Sequence, residues 1–189
     1  MPHPLARHIP NLLTLFRILL VWPLVQALLD GRYGLALALF LLAGITDGLD
    51  GFLARHFHWT SRLGGLLDPV ADKLLMVSSF VALALAGIVP EWLLWLVIGR
   101  DLVIVAGAVA YHLLIEPLVA EPTLLSKFNT LVQILYVFAQ LYDRGYAPLD
   151  PGLMDALQWG LVFTTLSSGA LYVWIWSRRA IRKRRGANP

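Results

Sequence analysis

Four aspartates lie in two pairs within long apolar stretches of this chain. Asp47 and Asp50 are three residues apart, and Asp68 and Asp72 are four apart, so in helices each pair lies on one face. An ionised carboxylate within a membrane-spanning segment costs about 2.5 kcal/mol or more. Carboxylates that are present despite this free-energy cost indicate a functional site.

The two pairs are predicted to meet in space. If the segment His56–Arg62 is the loop of a helical hairpin centred on position 59, Asp50 and Asp68 are each nine residues from that centre, and Asp47 and Asp72 are 12 and 13 residues from it. In an antiparallel pair of helices, Asp47 is then level with Asp72, and Asp50 with Asp68. The four carboxylates should converge on one small volume.

Such a cluster requires positive charge, because like charges cannot all stay ionised in a low-dielectric setting without a counter-charge. The chain has no Cys and no organised set of His, so oxygen ligands favour Mg²⁺ or Mn²⁺ over zinc. Two ions are expected, since four carboxylates exceed the charge of one divalent ion. The alternative is a set of interhelical salt bridges between the aspartates and Arg55, Arg62 and Lys73. These three cations are expected at the cytoplasmic edge of the site, where they are poorly placed to reach both the Asp47–Asp72 level and the Asp50–Asp68 level.

The surroundings of the aspartates suit a phosphate group. Nearby glycines would let a ligand approach the backbone closely; they are Gly48, Gly51, Gly64 and Gly65. Arg55 lies one turn beyond Gly51 and offers the bidentate geometry that phosphate oxygens accept. Carboxylates, hard divalent ions and an arginine together indicate phosphoryl chemistry on a diphosphate. In a membrane, that substrate should be a lipid with a nucleotide or pyrophosphate head.

The elements that position these residues are predicted from composition. Of 189 residues, 58% are hydrophobic and only 14% charged, against about 25% charged in soluble domains. A soluble globule is thereby excluded, and an all-α integral membrane protein of six transmembrane helices is predicted. The predicted helices span residues 12–29, 33–55, 63–88, 91–115, 123–142 and 153–177. Residues 1–189 are predicted to form a single domain with a basic tail at 178–189.

The basic residues predict the orientation. With a cytoplasmic N-terminus, ten Lys and Arg fall in cytoplasmic segments and two, Arg32 and Arg144, fall outside. Both termini are therefore expected in the cytoplasm. Only 14 residues (33–46) precede Asp47 in its helix, about 21 Å, which places the site towards the cytoplasmic side. The basic tail is expected to rest on anionic lipid rather than to bind nucleic acid.

Residues 47–73, DGLDGFLARHFHWTSRLGGLLDPVADK, resemble the signature of the CDP-alcohol phosphatidyltransferases, D-x2-D-G-x2-A-R-x8-G-x3-D-x3-D. All eight fixed positions are filled, by Asp47, Asp50, Gly51, Ala54, Arg55, Gly64, Asp68 and Asp72. The resemblance implies enzymes that displace CMP from a CDP-linked lipid with the hydroxyl of a second alcohol. It also implies a homodimer joined through transmembrane helices.

The resemblance further implies roles for individual residues. Asp47, Asp50 and Asp68 would ligate metal, while Asp72 would share the second metal and act as general base on the acceptor hydroxyl. The start of the first helix resembles the family's N-x2-T element near the cytidine. The CDP-lipid would be bound by Asn11, Thr14, Gly51, Arg55, Ser61 and Gly64. No Ser/His or Cys/His pair is apparent for a covalent intermediate, so direct in-line displacement is expected.

The acceptor is predicted from sequences outside the motif. The Gly99-Arg100-Asp101 triplet and residues 122–130 and 163–165 resemble the cardiolipin synthases of this family, which transfer to phosphatidylglycerol. The alternative is phosphatidylglycerophosphate synthase, which uses glycerol 3-phosphate and usually carries a further Arg soon after this triplet. Residues 102–110 are uncharged, which favours the lipid acceptor. Arg100 and Lys127 would hold the acceptor phosphate, or Arg100 and Asp101 would form a buried interhelical link.

A divalent-ion transporter is the rival from another class. It predicts carboxylates spread through the whole membrane depth. The outer halves of the second and third predicted helices carry none, so the enzyme is favoured. Its expected location is the bacterial inner membrane, although a mitochondrial inner membrane would host the same chemistry.

Overall fold

The computed structural model describes residues 9–57, 62–114 and 123–186. Within these ranges the chain is all-helical, as predicted, and no strand is present. The six helices are α1 (Ile9–Leu29), α2 (Tyr33–His56), α3 (Arg62–Leu85), α4 (Glu91–Leu114), α5 (Leu124–Gly145) and α6 (Pro151–Gly186).

Four of these helices are long and apolar enough to cross a membrane by length and composition. They contain the segments Pro10–Leu29, Tyr33–Leu53, Glu91–Tyr111 and Leu124–Gly145. Between 22% and 39% of each segment is buried inside the protein, and Trp22 and Trp95 expose most of their surface. Such apolar outer faces suit contact with lipid. Helix α3 carries four charged residues, Arg62, Asp68, Asp72 and Lys73, and α6 is interrupted by Ser, Thr and Trp, which lowers the hydropathy of both.

Two turns follow helices at glycines with a left-handed backbone. Gly31 (φ 72°) follows α1, and Gly87 (φ 70°) follows α3. After α3, the Ile88 amide donates to the Leu83 carbonyl and the Gly87 amide donates to the Ala84 carbonyl, both at 2.9 Å, which is the Schellman arrangement. Because this motif closes the helix, α3 ends at residue 85 rather than at the predicted 88.

Helix α6 differs from its prediction at both ends. It starts at Pro151, two residues early, because Asp150 Oδ1 accepts the Leu153 amide at 3.0 Å and proline suits the first helical turn. It continues to Gly186 instead of ending at 177. Residues 178–186 of the predicted basic tail therefore continue α6 as helix. Arg, Lys and Ala are good helix formers, and no glycine or proline interrupts the run before Gly186.

The chain divides into two compact units. The first contains α1, α2, α3 and the end of α5 from Val137 onwards. Helix α1 packs against both α2 and α3. At the start of α2 the backbones approach closely, since a Cβ on Gly145 would lie 2.7 Å from the Gly34 amide nitrogen.

The second unit contains α4, α5 up to Tyr136, and α6. Helices α4 and α6 pack together, and the Trp176 ring lies where a Cβ on Gly107 would be, 1.9 Å from its nearest atom. The glycine therefore makes room for the indole. That the chain forms a single domain stays a prediction.

Candidate active site

The structure brings the motif aspartates together around a side chain from α1. Arg17 is fully buried, and its guanidinium Nη1 lies 2.8 Å from Asp47 Oδ1 and 2.5 Å from Asp72 Oδ1. The other terminal nitrogen, Nη2, donates to Asp50 Oδ2. One arginine thus joins both aspartates of α2 to the last aspartate of α3.

Thr14, one turn before Arg17, reaches the remaining aspartate. Its buried hydroxyl lies 2.6 Å from Asp68 Oδ1, 3.4 Å from Asp50 Oδ2 and 3.0 Å from the Pro10 carbonyl. A hydroxyl has one proton to donate, and the shortest of these contacts is the one to Asp68. Thr14 therefore orients the Asp68 carboxylate.

These contacts form the two predicted layers. Asp47 and Asp72 share Nη1 of Arg17, while Asp50 and Asp68 both lie near the Thr14 hydroxyl. Asp47 and Asp72 are 48% and 53% exposed, whereas Asp50 is 3% exposed. The site therefore has an accessible layer of carboxylates and a less accessible one, in which Asp50 is buried and Asp68 is half-buried.

Sequence reasoning missed Arg17. The sequence offers Arg55, Arg62 and Lys73 near the aspartates as counter-ions, whereas the cation that joins three of the carboxylates comes from α1. A signal was available: Asn11, Thr14 and Arg17 recur at intervals of three along one side of an apolar helix. A charged residue at that depth is itself a functional indication.

The donor set fits a hard divalent cation. It consists of carboxylate oxygens with one hydroxyl beside them, and the four aspartates with Arg17 carry a formal charge of −4 + 1 = −3. Within residues 9–57, 62–114 and 123–186, however, no three acidic, His or Cys side chains are arranged as a ready metal site. The guanidinium nitrogens contact the oxygens that a cation would use.

Among the predicted CDP-lipid residues, Thr14 is the one whose contacts with the aspartates the described part of the structure gives. Asn11 and Thr14 lie in the first turns of α1, and Gly51 follows Asp50 in α2. Thr14 is turned to the aspartates, as described above. Ser61 lies outside the described residues, and so do the side-chain surroundings of Arg55 and Gly64.

Arg100, predicted to bind the acceptor, lies in the second unit and is 8% exposed. Its Nη1 is 2.8 Å from Asp101 Oδ1, and its Nη2 donates to the hydroxyls of Ser126 at 2.6 Å and Ser168 at 2.5 Å. The ion pair is thus within α4, and the hydroxyls of α5 and α6 make the interhelical link. The Lys127 side chain, next to Ser126, is exposed.

A second polar group links α5 to α6. Asn129 is fully buried, and its Oδ1 accepts hydrogen bonds from the hydroxyls of Thr164 at 2.9 Å and Thr165 at 3.0 Å. Among the described residues, no partner is found for the amide nitrogens of Asn129 and Gln133. The sequence segments that contain Asn129 and the two threonines were singled out only for their resemblance to cardiolipin synthases.

An apolar groove of about 410 Å³ runs between α4 and α6, with Arg100 in its wall. Its other walls include Trp95, Val103, Leu166 and Val173. The apolar walls would suit an acyl chain, while the terminal nitrogens of Arg100 are paired with Asp101, Ser126 and Ser168.

The profile of the CDP-alcohol phosphatidyltransferase family matches residues 7–169. This range contains α1, the motif aspartates and about the first half of α6. The chain belongs to the CDP-alcohol phosphatidyltransferase family. The resemblance drawn from the motif is confirmed.

Individual members of the CDP-alcohol phosphatidyltransferase family are similar over most of the chain. Cardiolipin synthases (CMP-forming) of Rattus norvegicus and Homo sapiens are 36% and 35% identical, each match covering 87% of this chain and 60% of the relative. A CDP-diacylglycerol–glycerol-3-phosphate 3-phosphatidyltransferase of Aquifex aeolicus is 32% identical, with 84% of this chain and 91% of the relative covered. The chain thus spans about 60% of the length of the two mammalian relatives.

Proposed function

We propose that this protein is a CMP-forming cardiolipin synthase that transfers the phosphatidyl group of CDP-diacylglycerol to phosphatidylglycerol. The observation that carries the proposal is the convergence of the four motif aspartates in a chain of this family. The names of the mammalian relatives support the acceptor. Glycerol 3-phosphate remains the second candidate, supported by the Aquifex relative.

The reaction is a displacement at the phosphatidyl phosphorus. The acceptor hydroxyl oxygen forms a bond to this phosphorus, the bond from phosphorus to the CMP oxygen breaks, and CMP leaves with that oxygen. Asp72 takes the hydroxyl proton; its half-exposed carboxylate is accessible to an alcohol. Asp47, Asp50, Asp68 and Asp72 would hold Mg²⁺ or Mn²⁺, two ions in all. When bound, the cations would neutralise the diphosphate and the leaving oxygen.

The lipid acceptor is supported by the second unit. The groove beside Arg100 offers apolar walls for an acyl chain, and residues 102–110 bring no further cation for a small dianion. Arg100 and Lys127 would contact the acceptor phosphate. We expect Lys127→Met to raise the KM for phosphatidylglycerol and to leave the KM for CDP-diacylglycerol unchanged. Arg144→Met, which removes another exposed cation of α5, serves as control, and equal KM values in both variants would contradict the role.

The activity is tested by lipid mass spectrometry. Purified protein in mixed micelles receives CDP-diacylglycerol, Mg²⁺ or Mn²⁺, and either phosphatidylglycerol or glycerol 3-phosphate. Cardiolipin with CMP, abolished by EDTA, is expected. Asp72→Asn should lower the rate by about a hundredfold or more, the contribution of a general base. Asp30→Asn, which removes an exposed aspartate paired with Arg32, should retain the rate. Phosphatidylglycerophosphate as product would establish the second candidate, and CMP from neither acceptor would contradict both.

The membrane arrangement is also proposed: six transmembrane helices, both termini in the cytoplasm, in a homodimer of a bacterial inner membrane. The apolar outer faces and the charge asymmetry support it. Because the chain lacks Cys, single cysteines at Arg32 and Ser177 can be labelled cleanly with an impermeant maleimide. In intact cells we expect Arg32→Cys to react and Ser177→Cys to be protected; the reverse would contradict the orientation. A monomer in nanodiscs with full activity would contradict the dimer.

A further inference from the structure

We infer that Arg17 is a built-in counter-charge of the aspartate cluster, and that it competes with divalent cations for the same carboxylates. The inference rests on the cation site of the proposed function. It concerns a residue outside the eight-position motif. Its starting point is that one guanidinium contacts Asp47, Asp50 and Asp72 together.

The burial of these groups means that Arg17 stabilises the fold. Arg17 is 0% exposed and Asp50 is 3% exposed, so neither charge is compensated by water. Removing one partner of a buried ion pair leaves the other unpaired, which is strongly destabilising. Without Arg17, the formal charge of the cluster would be −4 instead of −3, and the mutual repulsion of the four aspartates would act in a low dielectric.

The contacts of Arg17 with the carboxylates also disfavour the binding of a divalent cation at the same place. A divalent ion bound by Asp47, Asp50 and Asp72 would lie close to the guanidinium that these three carboxylates contact. Two positive charges at that range repel each other. Thr14 differs, because its neutral hydroxyl orients Asp68 and adds no such repulsion. Removal of Arg17 should therefore weaken the protein without cations and strengthen its cation binding.

The test measures Mn²⁺ affinity and thermal stability rather than turnover. The purified full chain in detergent is titrated with Mn²⁺, and free Mn²⁺ is followed by electron paramagnetic resonance. Melting is followed by Trp fluorescence in EDTA and at saturating Mg²⁺. We expect Arg17→Met to lower the Kd for Mn²⁺ by about tenfold or more. Its melting temperature should fall in EDTA and recover with Mg²⁺.

Arg100→Met is the matched control, since Arg100 is also buried and paired but belongs to the other unit. It should lose stability without recovery by Mg²⁺ and without a change in Mn²⁺ affinity. If Arg17→Met does not fold in EDTA, Arg17→Met with Asp50→Asn restores the charge balance and should melt at a higher temperature there. A purely steric role of Arg17 would not give this rescue.

Three outcomes separate this inference from the proposed function. If the wild-type protein binds no Mn²⁺, the cation site itself fails, and the inference fails with it. If the wild type binds Mn²⁺ and Arg17→Met binds it equally or more weakly, the competition is overturned while the site stands. Unchanged Mn²⁺ affinity with weaker CDP-diacylglycerol binding would overturn it in favour of a substrate contact by Arg17.

Discussion

Thr14 offers a direct test of how α1 serves the aspartate cluster. Thr14→Val keeps the shape of the side chain and removes the proton that the hydroxyl donates to Asp68 across 2.6 Å. A hydrogen bond to a charged group contributes about 1.5–3 kcal/mol, and about 1.4 kcal/mol corresponds to a tenfold change in rate. Because partners of ligating carboxylates orient them, kcat/KM should fall by about tenfold to about a hundredfold.

The assay is CMP release at varied Mg²⁺ and varied CDP-diacylglycerol. We expect the Mg²⁺ concentration for half-maximal rate to rise in Thr14→Val and Thr14→Ser to stay near the wild type. Thr46→Val is the matched control, since the Thr46 hydroxyl is also buried but, among the described residues, donates to the Ala43 carbonyl of its own helix, at 2.8 Å. A loss no larger than that of Thr46→Val would refute the reasoning. A loss confined to the KM for CDP-diacylglycerol would instead favour the cytidine contact that the motif resemblance implies.

Three further substitutions test the packing of the two units, each by thermal melting in detergent. Gly145→Ala should destabilise the protein by about 1–3 kcal/mol, because its Cβ would meet the Gly34 backbone at 2.7 Å. Gly34→Ala should be tolerated, because the nearest contact of its Cβ would be 3.6 Å. Equal melting temperatures for the two variants would contradict the close approach. Gly107→Ala should likewise destabilise, since Trp176 must leave its position, and an unchanged melting temperature would show that the indole moves freely. Asn129→Leu should lower the free energy of unfolding by about 1–3 kcal/mol, because it leaves two threonine hydroxyls without their shared acceptor. A variant as stable as the wild type would contradict this role of Asn129.

Local chemistry made much of the fold predictable. Gly31 and Gly87 end helices because a residue with positive φ closes the last turn, and apolar runs of about 20 residues gave most helix bounds to within a few residues. The errors came from competing local signals. At α6, Asp150 with Pro151 starts the helix earlier than hydropathy suggested. Hydropathy also ended α6 at the first arginines, although arginine is a good helix former.

The sequence by itself determined the aspartate cluster, because the helical repeat and a short loop between α2 and α3 fix which carboxylates are level. Those constraints act within 26 residues of chain. Only the tertiary structure decided which cation lies among them. The rotation of α1 against α2 and α3 brings Arg17 to Asp72, 55 residues away in the chain, and that rotation is set by the packing of α1 against the other two helices. No local spacing encodes it.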